Sequence, residues 1–358
     1  NLIWGVRFFE PIISKSPHFQ TIFLNSMRDH GRHILSNIDF YGSEYPTGNH
    51  YLADLVGLIY ISATFPSIPE SDFWLIFGIN QLISEIDRQI LVDGVCHEAS
   101  SSYHRLVGEL FLSASVLIEK LPQSRLLSLL NFRVSSVKCF PALTPLKDFS
   151  TNSSQVQLLP ISFYCHLFKI ASFSYFIRKP NGFTPQWGDN DSGRAHKLTQ
   201  FSFVDSRSHD VFVLSAFRFL GLSHLLEFSH ESSFESHVLV SSQSKFSSLF
   251  YPFLDLSSLR RSSHIFPSSG VAVVSNDNAF LFITCGPSGS KGHGGHGHND
   301  KNSFELSVHS LDFIVDPGCA FYQSNPALRN QFRSTNYHNT LSVANLEQNS
   351  FGTNSASM

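Results

Sequence analysis

The sequence predicts an α+β chain in two parts, a helical array followed by an antiparallel β-sheet. Up to about residue 230, apolar residues recur every three or four positions, which is typical of amphipathic helices. From Gly270 onward the apolar runs are short and are separated by Gly, Asn, Asp and Pro, which is typical of strands and turns. We therefore predict a helical domain at 1–230, a linking or wrapping segment at 231–269 and a sheet domain at 270–358.

The helical part contains two strongly periodic runs, at residues 79–90 and 106–121, and Pro122 stops the second. Less regular runs at 51–63, 161–177 and 211–228 predict further helices, packed as antiparallel hairpins.

The sheet part contains five strand-like runs: VAVVS, AFLFITCG, SFELSVHS, LDFIVDPG and HNTLSVAN. They predict an antiparallel sheet that forms one layer of a sandwich. Five strands are too few to close two good sheets, and the first residue is Asn rather than Met. We therefore expect a chain that is truncated at both ends.

Composition excludes several classes of function. The net charge of -3 provides no basic field, so a nucleic-acid partner is not expected. No apolar run approaches the ~20 residues that span a bilayer, so no membrane span is expected. The five cysteines are scattered without a CxxC pair, which matches neither a disulfide framework nor a thiolate zinc site.

The stretch GHGGHGHND at 292–300 is too rich in glycine to fill a core. In an extended segment His296 and His298 project to the same side. With Asp316 and His338 from neighbouring strands, the histidines make a ligand set suited to Zn²⁺. The alternative is a solvated loop, with Asp316 at a turn and His338 at a sheet edge.

Two polar segments in the helical part precede helices. One contains Asn49 and His50, and the other contains Tyr103, His104 and Arg105. The helix dipole and Arg105 would both favour a phenolate, which makes Tyr103 a candidate for proton transfer. The alternative is that Tyr103 only packs its ring, while Ser100 or Ser101 caps the helix.

Two further segments concentrate charge. WGDNDSGR at 187–194 ends with Arg194 and predicts a polar loop that binds sugar hydroxyls or turns the chain. Arg329 and Arg333 precede His338 and are suited to bind a carboxylate or sulfate. The alternative for these arginines is a solvated basic face.

Taken in order, the stretches GNHYLADLVGL, DGVCHEASSSYHRLVGELFL, WGDNDSGR, GGHGHNDKNSFEL, FIVDPG and RSTNYHNTL resemble the heparinase II/III family of polysaccharide lyases. They extend from about residue 40 to 345. The resemblance implies an incomplete α/α toroid followed by a β-sandwich domain, and cleavage of uronic-acid polysaccharides by β-elimination.

The resemblance also implies residue roles. Asn49 would neutralise the substrate carboxylate, and Tyr103 and His296 would share the roles of base and acid. A structural zinc ion would be bound by His298, Asp316 and His338. Contacts with the substrate are implied for His50, His104 and Arg105.

The substrate class implies a periplasmic or secreted protein acting on an acidic polysaccharide such as heparan, alginate or a bacterial capsule. One alternative is a glycoside hydrolase, which needs two facing carboxylates, for which Glu98, Asp189 and Asp191 are candidates. The other is a non-catalytic carbohydrate-binding protein that keeps the fold.

Overall fold

The structure is a computed structural model that describes residues 10–134, 141–150, 155–191, 193–198, 207–226, 234–259, 262–322 and 324–351. The α-helices of these residues are α1 (Glu10–Ile13), α2 (Pro17–Ser36), α3 (Asn49–Thr64), α4 (Ser71–Gln89), α5 (Ser101–Glu119), α6 (Gln123–Leu130), α7 (Ile161–Phe176), α8 (Asp210–Phe219), α9 (Phe234–Leu239), α10 (Ser247–Phe250) and α11 (Pro326–Phe332). The strands are β1 (His264–Phe266), β2 (Val271–Ser275), β3 (Ala279–Thr284), β4 (Ser303–Val308) and β5 (Leu311–Ile314).

The chain divides into two compact units: the first comprises residues 1–88 and 110–163, and the second comprises 89–109 and 164–358. The first unit has a core built by α2, α3 and α4. Tyr51, Leu55 and Leu58 of α3 are fully buried, and they cluster with Trp74 and Phe77 of α4. These positions follow the helical spacing of three and four, which is why one face of α3 is apolar.

The second unit packs the sheet against helix α7. The Phe173 ring lies edge-on to the Phe266 ring at 4.9 Å between centroids. The five strands form an antiparallel meander in the order β1-β2-β3-β4-β5. Val271, Val273 and Phe282 are among the side chains of its buried face. The antiparallel sheet predicted from the sequence is therefore confirmed.

Three predictions differ from the structure. The segment at 231–269, predicted as a linker, contains α9, α10 and the first strand of the sheet, β1. The run at 338–345 is not a strand: it contains only an isolated bridge from Val343 to Leu346 across a turn, in which Ala344 and Asn345 have φ of 51° and 59°. The helix predicted at 211–228 ends at Phe219, because Gly221 adopts a φ of 76° that reverses the chain.

No helix in the described parts of the chain combines the length and the apolar character needed to cross a membrane.

Candidate active site

The candidate site lies in the second unit, where residues 187–191 connect the start of α5 with residues 296–298, here called the HGH segment. The Ser100 hydroxyl donates to the Asp189 carbonyl at 2.7 Å, and the Asp189 N–H donates to the His296 carbonyl at 2.9 Å. Gly188 makes this close approach possible, because its φ is 70° and a Cβ atom there would lie 2.8 Å from the His296 carbonyl oxygen. The loop therefore fixes Tyr103 of α5 and His296 in one place.

Tyr103 and His296 form a stacked pair. Their ring centroids are 3.5 Å apart and their planes differ by 12°. Tyr103 is buried, and its own N–H is capped by the Ser100 hydroxyl at 3.2 Å. The His296 side chain keeps 12% of its surface exposed. A phenol and an imidazole thus lie side by side, with solvent access at the imidazole.

The Tyr103 hydroxyl is held by acidic and phenolic neighbours. It donates to Asp191 Oδ2 at 2.9 Å and lies 3.4 Å from the Tyr322 hydroxyl. Burial raises the pKa of Tyr103 well above its ordinary value, and Tyr322 and Asp191 raise it further. The phenolate expected from the helix dipole and Arg105 is therefore wrong, since Tyr103 keeps its proton at neutral pH.

Asp189 is the centre of the site and is completely buried. Its Oδ2 atom lies 3.3 Å from His296 Nδ1 and 2.5 Å from Arg329 Nη2, and its Oδ1 atom lies 3.1 Å from His298 Nε2. Burial alone would raise the pKa of this carboxyl, but the hydrogen bonds from His296, His298 and Arg329 hold it well below its usual range. Asp189 is therefore a buried carboxylate whose charge is compensated.

The three predicted zinc ligands are neighbours. The rings of His298 and His338 have centroids 5.3 Å apart, and His338 Nδ1 donates to Asp316 Oδ2 at 2.6 Å. Among the described residues, however, no group of three or more His, Cys, Asp or Glu side chains is arranged to hold a metal ion.

The chemistry of these side chains nevertheless fits zinc. His298 Nδ1 and His338 Nε2 are both buried, and neither has a hydrogen-bond partner within the described parts of the protein. Imidazole nitrogens are ordinary zinc ligands. Zinc stays a prediction, with these two atoms as its best-placed ligands.

His104 and Arg105, predicted as substrate contacts, point into the second unit. His104 Nδ1 accepts from the Cys96 N–H at 3.1 Å, and its Nε2 lies 3.0 Å from the Ile170 carbonyl oxygen. Burial lowers the pKa of His104 to about 4, so its ring is neutral. Arg105 donates to the carbonyl oxygens of Ser208 and Gly193 at 2.9 and 3.0 Å. This geometry favours structural roles for both side chains.

Arg194 and Arg333 are also engaged with the protein. Arg194 forms ion pairs with Glu109 at 2.8 Å and with Glu235 at 3.1 Å. Arg333 is fully buried, donates to Asn330 Oδ1 at 2.9 Å and lies over the Phe351 ring. The alternative of a solvated basic face is therefore wrong for Arg333, and it is also wrong for Arg329, which is buried and donates to Asp189. Substrate contacts of Arg194 and Arg333 stay predictions.

Two sequence profiles of one family match the chain. The profile described as "Heparinase II/III N-terminus" matches residues 6–124, and the one described as "Heparinase II/III-like, C-terminal" matches residues 259–357. The chain belongs to the heparinase II/III family.

Individual relatives agree with this membership. A heparin-sulfate lyase of Bacteroides stercoris is 33% identical over 108 residues, which are 30% of this chain and 15% of the relative. One from Pedobacter heparinus is 31% identical over 100 residues, which are 28% of this chain and 14% of the relative. The crystal structure of a heparinase III resembles the chain with a TM-score of 0.61 at 19% identity, covering 96% of this chain and 46% of that one. The chain thus spans less than half of this family member, and the likeness concerns the fold.

The remaining predicted residues, Asn49 and His50, lie in the first unit. Asn49 is buried and is the first residue of α3, after the N-cap Gly48. The His50 side chain is 76% exposed, with Nδ1 3.5 Å from Asp39 Oδ2. Their roles in a family member of this kind stay predictions.

Sequence reasoning missed two contributors to the site, Tyr322 and the central position of Asp189. Tyr322 has its hydroxyl 3.2 Å from His296 Nδ1, and the Arg329 guanidinium lies over its ring at 4.9 Å. The sequence presents Asp189 only as a loop residue or as a candidate hydrolase carboxylate. The one available signal was the density of acidic residues in WGDNDSGR, which does not reveal their partners.

Proposed function

We propose that the protein is a polysaccharide lyase that cleaves an acidic, uronic-acid-containing polysaccharide by β-elimination. The observation that carries this proposal is the stacked pair of Tyr103 and His296, with ring centroids 3.5 Å apart. One member is a phenol that keeps its proton, and the other is an imidazole with partial access to solvent. Beta-elimination needs one group to remove a proton and another to supply one.

The proposal gives the two side chains different roles in the elimination. His296 Nε2 removes the C5 proton of the uronic acid, and the electron pair forms the C4=C5 double bond while the C4–O4 bond breaks. The Tyr103 hydroxyl gives its proton to the departing O4 atom. The raised pKa of Tyr103 supports its role as the acid, because a group that is protonated at neutral pH cannot begin as the base.

The C5 proton is weakly acidic until the charge of the adjacent carboxylate is neutralised. The family resemblance assigns this task to Asn49, whose amide would donate to the carboxylate. Of the arginines considered, Arg105 and Arg194 are engaged by protein oxygen atoms, and this supports a neutral amide as the neutralising group.

A structural zinc ion is part of the proposal, with His298 Nδ1 and His338 Nε2 as its protein ligands. Such an ion would supply a rigid cross-link between the HGH segment and residue 338. Asp316, which the family resemblance implies as the third ligand, accepts from His338 Nδ1 and in this geometry would orient that ring, as carboxylates near zinc-bound histidines commonly do.

We also propose the detailed architecture, an α/α toroid followed by a β-sandwich. The outward face of the sheet supports the sandwich, because Ile265, Val274 and Leu311 on it are apolar and exposed. A second sheet would cover such a face. Because the substrate is a polymer outside the cytoplasm, we expect a periplasmic or secreted protein.

The test is to incubate the intact protein with a panel of uronic-acid polysaccharides, including heparan sulfate and alginate. The lyase predicts a rise in the ultraviolet absorbance of the conjugated C4=C5 double bond, together with new reducing ends. New reducing ends without that absorbance would replace the proposal by the glycoside hydrolase. Binding of a polymer without either signal would favour the non-catalytic alternative.

A further inference from the structure

We propose that Asp189 is a positioning residue that fixes the ring orientation and the tautomer of both His296 and His298. The proposal rests on the proposed function for the role of His296, and on the proposed zinc site for the role of His298. Its basis is that one buried carboxylate contacts both rings, His296 through Oδ2 at 3.3 Å and His298 through Oδ1 at 3.1 Å.

The direction of these hydrogen bonds follows from the third partner of the carboxylate. Arg329 is positively charged at all ordinary pH values and donates to Asp189 Oδ2 at 2.5 Å. A carboxylate paired with a guanidinium accepts hydrogen bonds and has none to donate. A histidine bonded to it therefore donates, His296 from Nδ1–H and His298 from Nε2–H. The Tyr322 hydroxyl, 3.2 Å from the same His296 Nδ1, then accepts from that N–H as well.

The other nitrogen of each ring points away from Asp189. In His296 this atom is Nε2, the one that the proposed elimination uses as the base, and Glu98 Oε2 lies 3.7 Å from it. In His298 it is Nδ1, the buried atom that has no hydrogen-bond partner among the described residues. A single carboxylate thus selects the reactive nitrogen of one ring and the metal-binding nitrogen of the other.

Asp189 is itself held firmly. Its side chain is fully buried, its N–H donates to the His296 carbonyl at 2.9 Å, and its carbonyl accepts from the Ser100 hydroxyl at 2.7 Å. Because the N–H and the carbonyl of Asp189 are both hydrogen-bonded, its carboxylate can hold two rings without losing further conformational entropy. The same backbone contacts reach the start of α5, so Tyr103 shares this support.

The first test uses the unmodified intact protein and needs no activity. Nitrogen-15 chemical shifts of the labelled histidine rings are assigned with the variants His296→Ala and His298→Ala. We expect His296 protonated at Nδ1 and His298 protonated at Nε2. The opposite tautomer in either ring would overturn the proposal.

The second test compares Asp189→Asn with Asp210→Asn. Asp210 pairs with Arg178 at 2.8 Å elsewhere in the second unit and serves as the matched control. Asp189→Asn should lower kcat by about 100-fold or more with KM within about threefold, because the base is misoriented while the binding surface is kept. It should also weaken zinc affinity, measured by competition with a chromophoric chelator, by about 10–100-fold. The control should change none of these.

Wild-type kcat and zinc affinity in a folded Asp189→Asn variant would overturn the proposal. If the unmodified protein has no lyase activity on any polymer, the proposed function fails, but the tautomers and the zinc affinity still decide the role of Asp189. If Asp189→Asn does not fold, the tautomers of the unmodified protein give the decision.

Discussion

Replacing Tyr103 by Phe removes one oxygen atom and leaves the ring that stacks on His296. The substitution eliminates the hydrogen bond to Asp191, 2.9 Å long, and the contact with Tyr322 at 3.4 Å. Loss of a positioned general acid lowers kcat by about 10²–10⁴-fold, which corresponds to roughly 3–5 kcal/mol of activation free energy. The lost hydrogen bond to a carboxylate should lower the free energy of unfolding by about 2 kcal/mol.

The assay is steady-state kinetics by ultraviolet absorbance of the unsaturated product, with unfolding measured by chemical denaturation. The matched control is Tyr251→Phe, which also removes one partly buried hydroxyl, here donating to the Gly221 carbonyl at 3.1 Å. The control should keep wild-type kcat. A Tyr103→Phe variant with more than about a tenth of the wild-type kcat would refute the assignment of Tyr103 as the acid.

Three further predictions concern stability, backbone geometry and metal. The pKa of His104 is lowered to about 4, so its folded ring contributes stability above its unfolded pKa of 6.5, and this stability is lost as the pH falls toward 4. His104→Gln keeps a hydrogen-bond acceptor and a donor but does not titrate. Between pH 7 and pH 4 the free energy of unfolding of the wild type should therefore fall by about 3 kcal/mol more than that of the variant. Equal decreases in denaturant titrations would contradict this prediction. Gly188→Ala places a Cβ atom 2.8 Å from the His296 carbonyl oxygen at a φ of 70°, and should destabilise the protein by more than about 2 kcal/mol; an unchanged denaturation midpoint would show that the loop is not held as described. His298→Ala should lose bound zinc and melt at a lower temperature, whereas the exposed His293→Ala should do neither; full metal content in His298→Ala would exclude it as a ligand.

Helices with regular apolar spacing could be predicted from the sequence, because the spacing follows from which face of each helix is buried. The run at 106–121 corresponds to α5, although the helix begins earlier, at Ser101, where the Ser100 hydroxyl supplies the cap, and ends at Glu119. The run at 338–345 shows the limit of such reasoning. Its alternation resembles a strand, yet Ala344 and Asn345 take positive φ values and leave Leu341 and Val343 exposed. Alternation shows which side chains share a face, not whether a partner strand is available.

The candidate site was predictable as a set of residue types but not as a network. The GHGH motif and the family resemblance identified His296 as a candidate. The position of Tyr103 at the start of a helix identified it as a second candidate. Their stacking joins residues 103 and 296, and the contact of Asp189 with His298 spans 109 positions. The fold determines such contacts. The same reason explains the error about the phenolate, because the burial that raises the pKa of Tyr103 comes from distant segments.

The central claim is tested most directly by product analysis of the intact protein in water enriched in heavy oxygen. Beta-elimination breaks the C4–O4 bond without adding water, so the account predicts fragments with a C4=C5 double bond at the new non-reducing end and no heavy oxygen at the cleaved linkage. Saturated fragments that carry one heavy oxygen atom for each cleavage would show hydrolysis and would contradict the account.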